Sequence, residues 1–178
     1  MAGGGGQPPG VVVRAAGPAD VPLLLALFAE LAEYEHLTHE LHATAELLAP
    51  ALFGERPVAE ALIGEHDGAV AGYALFFPTF SSFIAKPGIW LEDLFVRPAH
   101  RRAGVGRALL AAVAARVHER GGGRLEWAAL DWNELALGFY RSLGADTLDE
   151  WITHRLIGAP LARLAGEAAA GDSGSQRR

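Results

Sequence analysis

Apolar and polar residues along this chain follow two periods, and the switches between them mark the elements. VVVRAA at Val11–Ala16 predicts a first strand. Leu24, Leu27, Phe28 and Leu31 recur at helical spacing, so a helix follows Asp20, a residue type suited to cap it. Thr44, Glu46 and Leu47 predict a second, shorter helix closing near Phe53-Gly54. VAEALIGE and VAGYALFF flank His66-Asp67-Gly68-Ala69, which predicts a hairpin with Asp-Gly in its turn. The Ser- and Phe-rich stretch from Pro78 to Gly88 predicts a connection, and Trp90–Val96 a central strand. In the helix predicted over Val105–Arg120, the apolar face is Val105, Leu109, Ala112, Val113 and Val117, and Gly121–Gly123 stop it. Leu125–Leu130 predicts a buried strand. Asn133 or Glu134 opens a helix through Leu143, ended by Gly144, and Trp151–Ile157 predicts a last strand. The order β-α-α-β-β-β-α-β-α-β describes an α/β fold built on one mixed sheet.

Composition narrows the class. A chain of 178 residues with 51% hydrophobic content suits one globular domain, expected over residues 11–158. The leader MAGGGGQPPG, residues 1–10, is expected to be disordered; the tail, residues 159–178, is expected to be partly helical and disordered from Gly171. No apolar run approaches the ~20 residues needed to span a bilayer, and the leader has neither a basic region nor an apolar signal core. With no cysteine, thiol catalysis, a disulfide framework and a cysteine-based zinc site are excluded. The expectation is a cytoplasmic protein without a membrane partner. A net charge of −6 argues against a broad nucleic-acid surface and is compatible with cationic ligands. His36, His39 and His42, with Glu40, could ligate a metal, but they occupy a polar loop after a helix, and no metal is expected.

The candidate chemistry begins at RPAHRRAGVG, between the Trp90–Val96 strand and the following helix. Arg101, Gly104 and Gly106 stand as R-x-x-G-x-G. Glycines let phosphate oxygens approach the main chain, and the helix start adds unpaired N–H groups and a positive dipole end. This reads as a pyrophosphate cradle. A dinucleotide fold would want a third glycine where Leu109 stands, and an acid at a strand end, whereas Glu126 opens the run LEWAALDW. An arginine-rich turn capped by glycine would explain Gly104 but not the glycine pair. Glu92 and Asp93 are adjacent on an apolar strand, so regular alternation sends them to opposite faces. Unpaired buried carboxylates are costly, which favours solvated or functional positions for both.

The cradle resembles motif A of the GCN5-related N-acetyltransferases (GNAT). YEHL at Tyr34–Leu37, IWLEDLFV at Ile89–Val96, RRAGVG, LDWNE at Leu130–Glu134 and FYRSLGA at Phe139–Ala145 follow in the order of the diamine acetyltransferase branch, which includes spermidine/spermine and thialysine N-acetyltransferases. The resemblance implies the GNAT fold, acetyl-CoA as cosubstrate, a small-molecule amine as acceptor and a homodimer. It implies Tyr140 as the general acid for the departing thiolate and Glu92 as the group that accepts the amine's proton through water. Coenzyme A binding would fall to Leu94, Val96, Arg101, Arg102, Ala103, Gly104, Val105, Gly106, Arg107, Asn133, Phe139 and Tyr140. The backbone N–H of Leu94, on a bulged strand, would polarise the thioester. The acceptor would meet Tyr34, Glu35, Glu92, Asp93, Phe83 and His154. Several of these have plainer readings: Tyr140 as a packed aromatic, Asn133 as a helix cap, Glu35 as surface charge, His154 as a core histidine.

The chain departs from the polyamine-type pattern at three places. Ser81 and Phe83 stand where that pattern has an acid and a tryptophan, and Ile152 stands near a further missing acid. Each lost carboxylate removes ~1.5–3 kcal/mol of charge-assisted contact to a polycation if buried. The expected acceptor is therefore a small amine such as a lysine or ornithine analogue. A protein N-terminus or a xenobiotic amine is the alternative acceptor, and a coenzyme A-sensing module without turnover is the alternative class.

Overall fold

The computed structural model describes residues 8–172. The chain forms two compact units, the first ending at Ala128 and the second beginning at Ala129. In the first unit, β1 (Val11–Ala15) leads through a short 3-10 turn into α1 (Val21–Tyr34). Then come α2 (Ala45–Phe53), β2 (Glu60–His66), β3 (Ala69–Ser81), β4 (Lys86–Val96), α3 (Val105–Glu119) and β5 (Arg124–Trp127). The five strands form one sheet in chain order, antiparallel from β1 to β4 and parallel between β4 and β5. This is the mixed α/β sheet expected.

The helices pack according to their apolar stripes. Leu24, Leu27 and Phe28 of α1 join Leu52 of α2 in a core with Ala61, Ile63, Tyr73 and Phe95 from three neighbouring strands. Burying each of those large side chains contributes ~1.5–3 kcal/mol. Val105, Leu109, Val113 and Val117 of α3 are buried as expected, with Ala108 and Leu110 widening the stripe. Gly64 lets α3 approach β2, since a Cβ there would stand 2.9 Å from Val105 Cγ1 and 3.2 Å from Leu109 Cδ1. The Asp67-Gly68 turn has positive φ at both residues, 52° and 79°, the left-handed pair that a tight hairpin requires.

Several expectations change. Asp20 does not cap α1 with its side chain; its carboxylate accepts from the Gly17 N–H and from Arg14, which also holds Glu65. The Pro78–Gly88 stretch is mostly strand, because β3 runs on to Ser81 and pairs with Lys86. The middle strand of the sheet is β3, and β4 lies next to the short, partly exposed β5.

In the second unit, α4 (Glu134–Ser142) and α5 (Gly158–Asp172) are the regular elements. The Asn133 side chain caps α4, accepting from Ala136 N–H at 3.2 Å, and Gly144 follows with φ 81°. No strand forms over Trp151–Ile157: Trp151 is 71% and Ile152 78% exposed, so apolar character there is not matched by a pairing edge. Of the termini expected to be disordered, residues 1–7 and 173–178 lie outside the described residues. Among the described residues, Pro8 O accepts from the Val11 N–H, and α5 extends through Asp172.

Candidate active site

The acidic pair on β4 sits at a break in the ladder with β3. Leu75 pairs with Asp93, but Phe76 pairs with Leu91, so Glu92 is the extra residue of a β-bulge. The bulge changes the phase of the strand. Trp90 pairs with Phe77 and Asp93 with Leu75, two β3 residues that share a face. Trp90 Nε1 donates to Glu92 Oε2 at 2.9 Å, which keeps Glu92 on that side as well. Glu92 and Asp93 therefore lie on one face, not on opposite faces as regular alternation requires. The bulge also falls two residues before Leu94, which is paired with Ala74.

Asp93 is half-buried, and its Oδ2 accepts from the Tyr73 hydroxyl at 3.0 Å. Burial pushes its carboxyl up from the ordinary 3.8 to about 6; the Tyr73 bond opposes that rise, and the negative charges of Glu92 and Glu35 add to it. Glu35 caps the C-terminal end of α1, and burial raises its carboxyl too. Tyr73 is raised by burial first and then by Asp93. Glu92 and Glu35 thus both repel the Asp93 carboxylate, which a buried phenol holds from the core side. Such an arrangement favours a bound cation, because an ammonium group relieves both the repulsion and the desolvation.

Beside it, Tyr34 ends α1 and carries the Arg101 guanidinium 4.6 Å above its ring. A cavity of about 270 Å³ is lined by Glu30, Glu33, Tyr34, Phe95 and Pro98. Arg97 closes this corner, binding both oxygens of Glu30, with Nε–Oε2 at 2.8 Å and Nη2–Oε1 at 2.6 Å, while Nη1 donates to Val70 O at 2.9 Å. The guanidinium holds the Glu30 carboxyl below its usual range. Neither Tyr73 nor the Arg97–Glu30 pair stood out in the sequence. A tyrosine inside an apolar run and an arginine just past a strand were the available signals.

The other side of β4 is open. Its parallel pairing with β5 covers Gly88–Leu91 and stops there, so among the described residues no strand pairs with that edge of β4 from Glu92 onward. Leu94 and Val96 lie on this open stretch. The loop then turns through Pro98–His100, and Arg101 Nε donates to Val96 O at 3.1 Å. Arg101 is thus engaged by the loop and by Tyr34, while Arg102 is exposed with φ 65°. Gly104 has φ 89° and immediately precedes α3. Ala103 leads into it; Val105 is buried, and Arg107 is exposed. The N–H groups of Val105, Gly106 and Arg107 are in the first turn, where an α-helix supplies no acceptors. An open strand edge leading to a glycine-started helix fits an extended thiol arm ending in a pyrophosphate. Glu126, the residue a ribose-binding reading would need, is instead paired with Arg124 at 2.6 Å.

The remaining candidates are on other elements. Phe83 is 94% exposed at the tip between β3 and β4, while Ser81 is buried. Phe139 and Tyr140 are half-buried on α4, their ring centroids 5.4 Å apart. His154 is exposed in the segment without regular structure. Among the described residues no group of three or more His, Cys, Asp or Glu is arranged to hold a metal, and no helix is long and apolar enough to cross a membrane.

Residues 24–145 match the acetyltransferase (GNAT) family. The chain belongs to that family. Among its relatives, the thialysine N-epsilon-acetyltransferase of Bos taurus is 35% identical over 88% of this chain and 98% of its own. The L-ornithine N5-acetyltransferase NATA1 of Arabidopsis thaliana is 34% identical over 84% of this chain and 85% of its own. Within the GNAT family these relatives belong to the diamine acetyltransferase branch that the motifs resemble. Among solved structures, an integron cassette protein from the mobile metagenome of V. cholerae aligns with TM-score 0.72 and 26% identity, over 88% of this chain and 98% of that one. This GNAT chain is an N-acetyltransferase, in a family whose cosubstrate is acetyl-CoA.

Proposed function

We propose that this enzyme transfers the acetyl group of acetyl-CoA to a primary amine of a small molecule, a diamine, a polyamine or a lysine- or ornithine-like amino acid. Transfer is direct within a ternary complex, since the chain has no cysteine to carry an acetyl group. The observation that carries this reading is the bulge that gathers Glu92 and Asp93 on one face within the field of Glu35. The amine arrives as an ammonium ion, paired with these carboxylates. Glu92, exposed on the strand, takes its proton through water, leaving the nitrogen lone pair free. The nitrogen then bonds to the thioester carbonyl carbon, the carbon–sulfur bond breaks, Tyr140 protonates the leaving thiolate, and the surplus proton on the new amide nitrogen returns to the Tyr140 phenolate. A phenol is a chemically suitable donor to a departing thiolate.

For the cosubstrate, the Arg101–Arg107 loop receives the pyrophosphate and the open β4 edge at Leu94 and Val96 receives the thiol arm. The family resemblance assigns Asn133 and Phe139 to coenzyme A as well. On the acceptor side Tyr34, Phe83 and His154 shape the site, and Ser81, buried at the end of β3, supplies no carboxylate, which favours the amino-acid amines over spermine. A cytoplasmic homodimer belongs to the same reading.

The test is coenzyme A release from acetyl-CoA against spermidine, putrescine, ornithine, lysine, thialysine and an aminoglycoside. Selective turnover of the amino-acid amines is expected. Preference for spermidine would overturn the acceptor assignment. Silence across the panel with acetyl-CoA still bound would point to a protein acceptor or a sensing module.

A further inference from the structure

The Tyr73 side chain is fully buried, with its ring 5.1 Å from Phe28 of α1 and 6.3 Å from Phe95 of β4. A phenylalanine would fill that space equally well, so packing does not account for the hydroxyl. Buried phenols require a partner, and this one finds it in Asp93 Oδ2 at 3.0 Å. The partner is one of the two carboxylates at the bulge. The groups acting on Asp93 come from three elements: Tyr73 from β3, Glu92 from β4 and Glu35 from the end of α1. Two of them repel a charged carboxylate, and Tyr73 is the donor. The bond takes Oδ2, so the carboxyl group is held at one oxygen from the core side while Oδ1 is not engaged by Tyr73.

We propose that Tyr73 is a positioning residue of the acceptor site, whose hydroxyl, fixed from within the core, holds the Asp93 carboxylate in the orientation that receives the acceptor's ammonium group. This inference rests on the reading that the acid cluster binds a cationic amine. It requires no contact between Tyr73 and the acceptor. Without the hydroxyl, Asp93 faces Glu92 and Glu35 with no compensating donor, and its charged form is harder to reach.

Tyr73→Phe keeps the ring and removes the bond. KM for the acceptor is expected to rise about tenfold with a smaller change in kcat. The acidic limb of kcat/KM moves to higher pH, and acetyl-CoA affinity is unchanged. In an Asp93→Asn background the same substitution adds nothing to KM. Independently of turnover, the Asp93 carboxyl followed by 13C NMR must titrate at higher pH in Tyr73→Phe than in the parent protein. An unmoved titration, or an equal KM effect with and without Asp93, overturns the proposal. Should Tyr73→Phe not fold, 3-fluorotyrosine at position 73, a stronger donor, must move the titration down, and failure to do so also overturns it. Loss of the amine reading is a separate outcome: the parent enzyme would then be silent across the amine panel while the NMR titration still reports whether Tyr73 holds Asp93.

Discussion

Asp93→Asn separates what the acid cluster does for stability from what it does for binding. Asp93 has its carboxyl raised from 3.8 to about 6, chiefly by burial. The folded protein therefore keeps a proton that the unfolded chain has already lost between about pH 4 and pH 6. Folding takes up a proton in that window, so stability is greatest below it, falls as pH rises through it, and is level above it. A rise of about two pH units corresponds to about 3 kcal/mol lost at neutral pH, an upper bound because the side chain is only half-buried. Asparagine resembles the protonated carboxyl in shape and still offers an oxygen to the Tyr73 hydroxyl. It removes the charge and with it the penalty. Urea unfolding at pH 7.5 is expected to show Asp93→Asn more stable than the parent by about 1–3 kcal/mol, a midpoint shift on the order of 1 M. At pH 4 the two midpoints should converge. Over the same substitution kcat/KM for the amine should fall about 10- to 100-fold. A variant that is less stable at pH 7.5, or one whose advantage persists unchanged at pH 4, would refute the reasoning.

Two further outcomes follow from the site. Tyr140→Phe should abolish most turnover, on the order of 100-fold or more, while isothermal titration shows acetyl-CoA binding unchanged; intact turnover would remove Tyr140 from the proton path. Gly104→Ala meets a φ of 89° and would bring a Cβ within 2.6 Å of Pro8 Cγ. It should cost about 1–2 kcal/mol in thermal unfolding and weaken acetyl-CoA binding, and wild-type affinity in this variant would argue against the cradle.

The sequence made the periodic parts legible. The α3 stripe from Val105 to Val117, the Asp67-Gly68 turn and the Asn133 cap are each specified by residues close together in the chain, and each is present. The loop from Arg101 to Gly106 was readable for the same reason. The relation between Glu92 and Asp93 was not, because face assignment by alternation assumes a regular ladder, and the bulge is visible only against β3. Tyr73 was hidden by its setting: within VAGYALFF it reads as one more aromatic, and its hydroxyl acquires meaning only when Asp93 is opposite. The stacking of Arg101 on Tyr34 was not legible either, because the two residues are far apart in sequence. The Trp151–Ile157 run shows the converse failure, since apolar content alone does not supply a neighbouring strand, and its side chains are exposed.

The bulge also divides the work of β4. Leu91 pairs with Phe76 and Asp93 with Leu75, two consecutive β3 residues, so the ladder would close without a gap if Glu92 were never there. Glu92 is thus a guest in the ladder, tied to its own strand through the Trp90 Nε1 donor. The residue proposed to take the amine's proton is therefore not one of those whose pairing builds the ladder. The acid can change, or the chemistry with it, while the strand on either side stays in register.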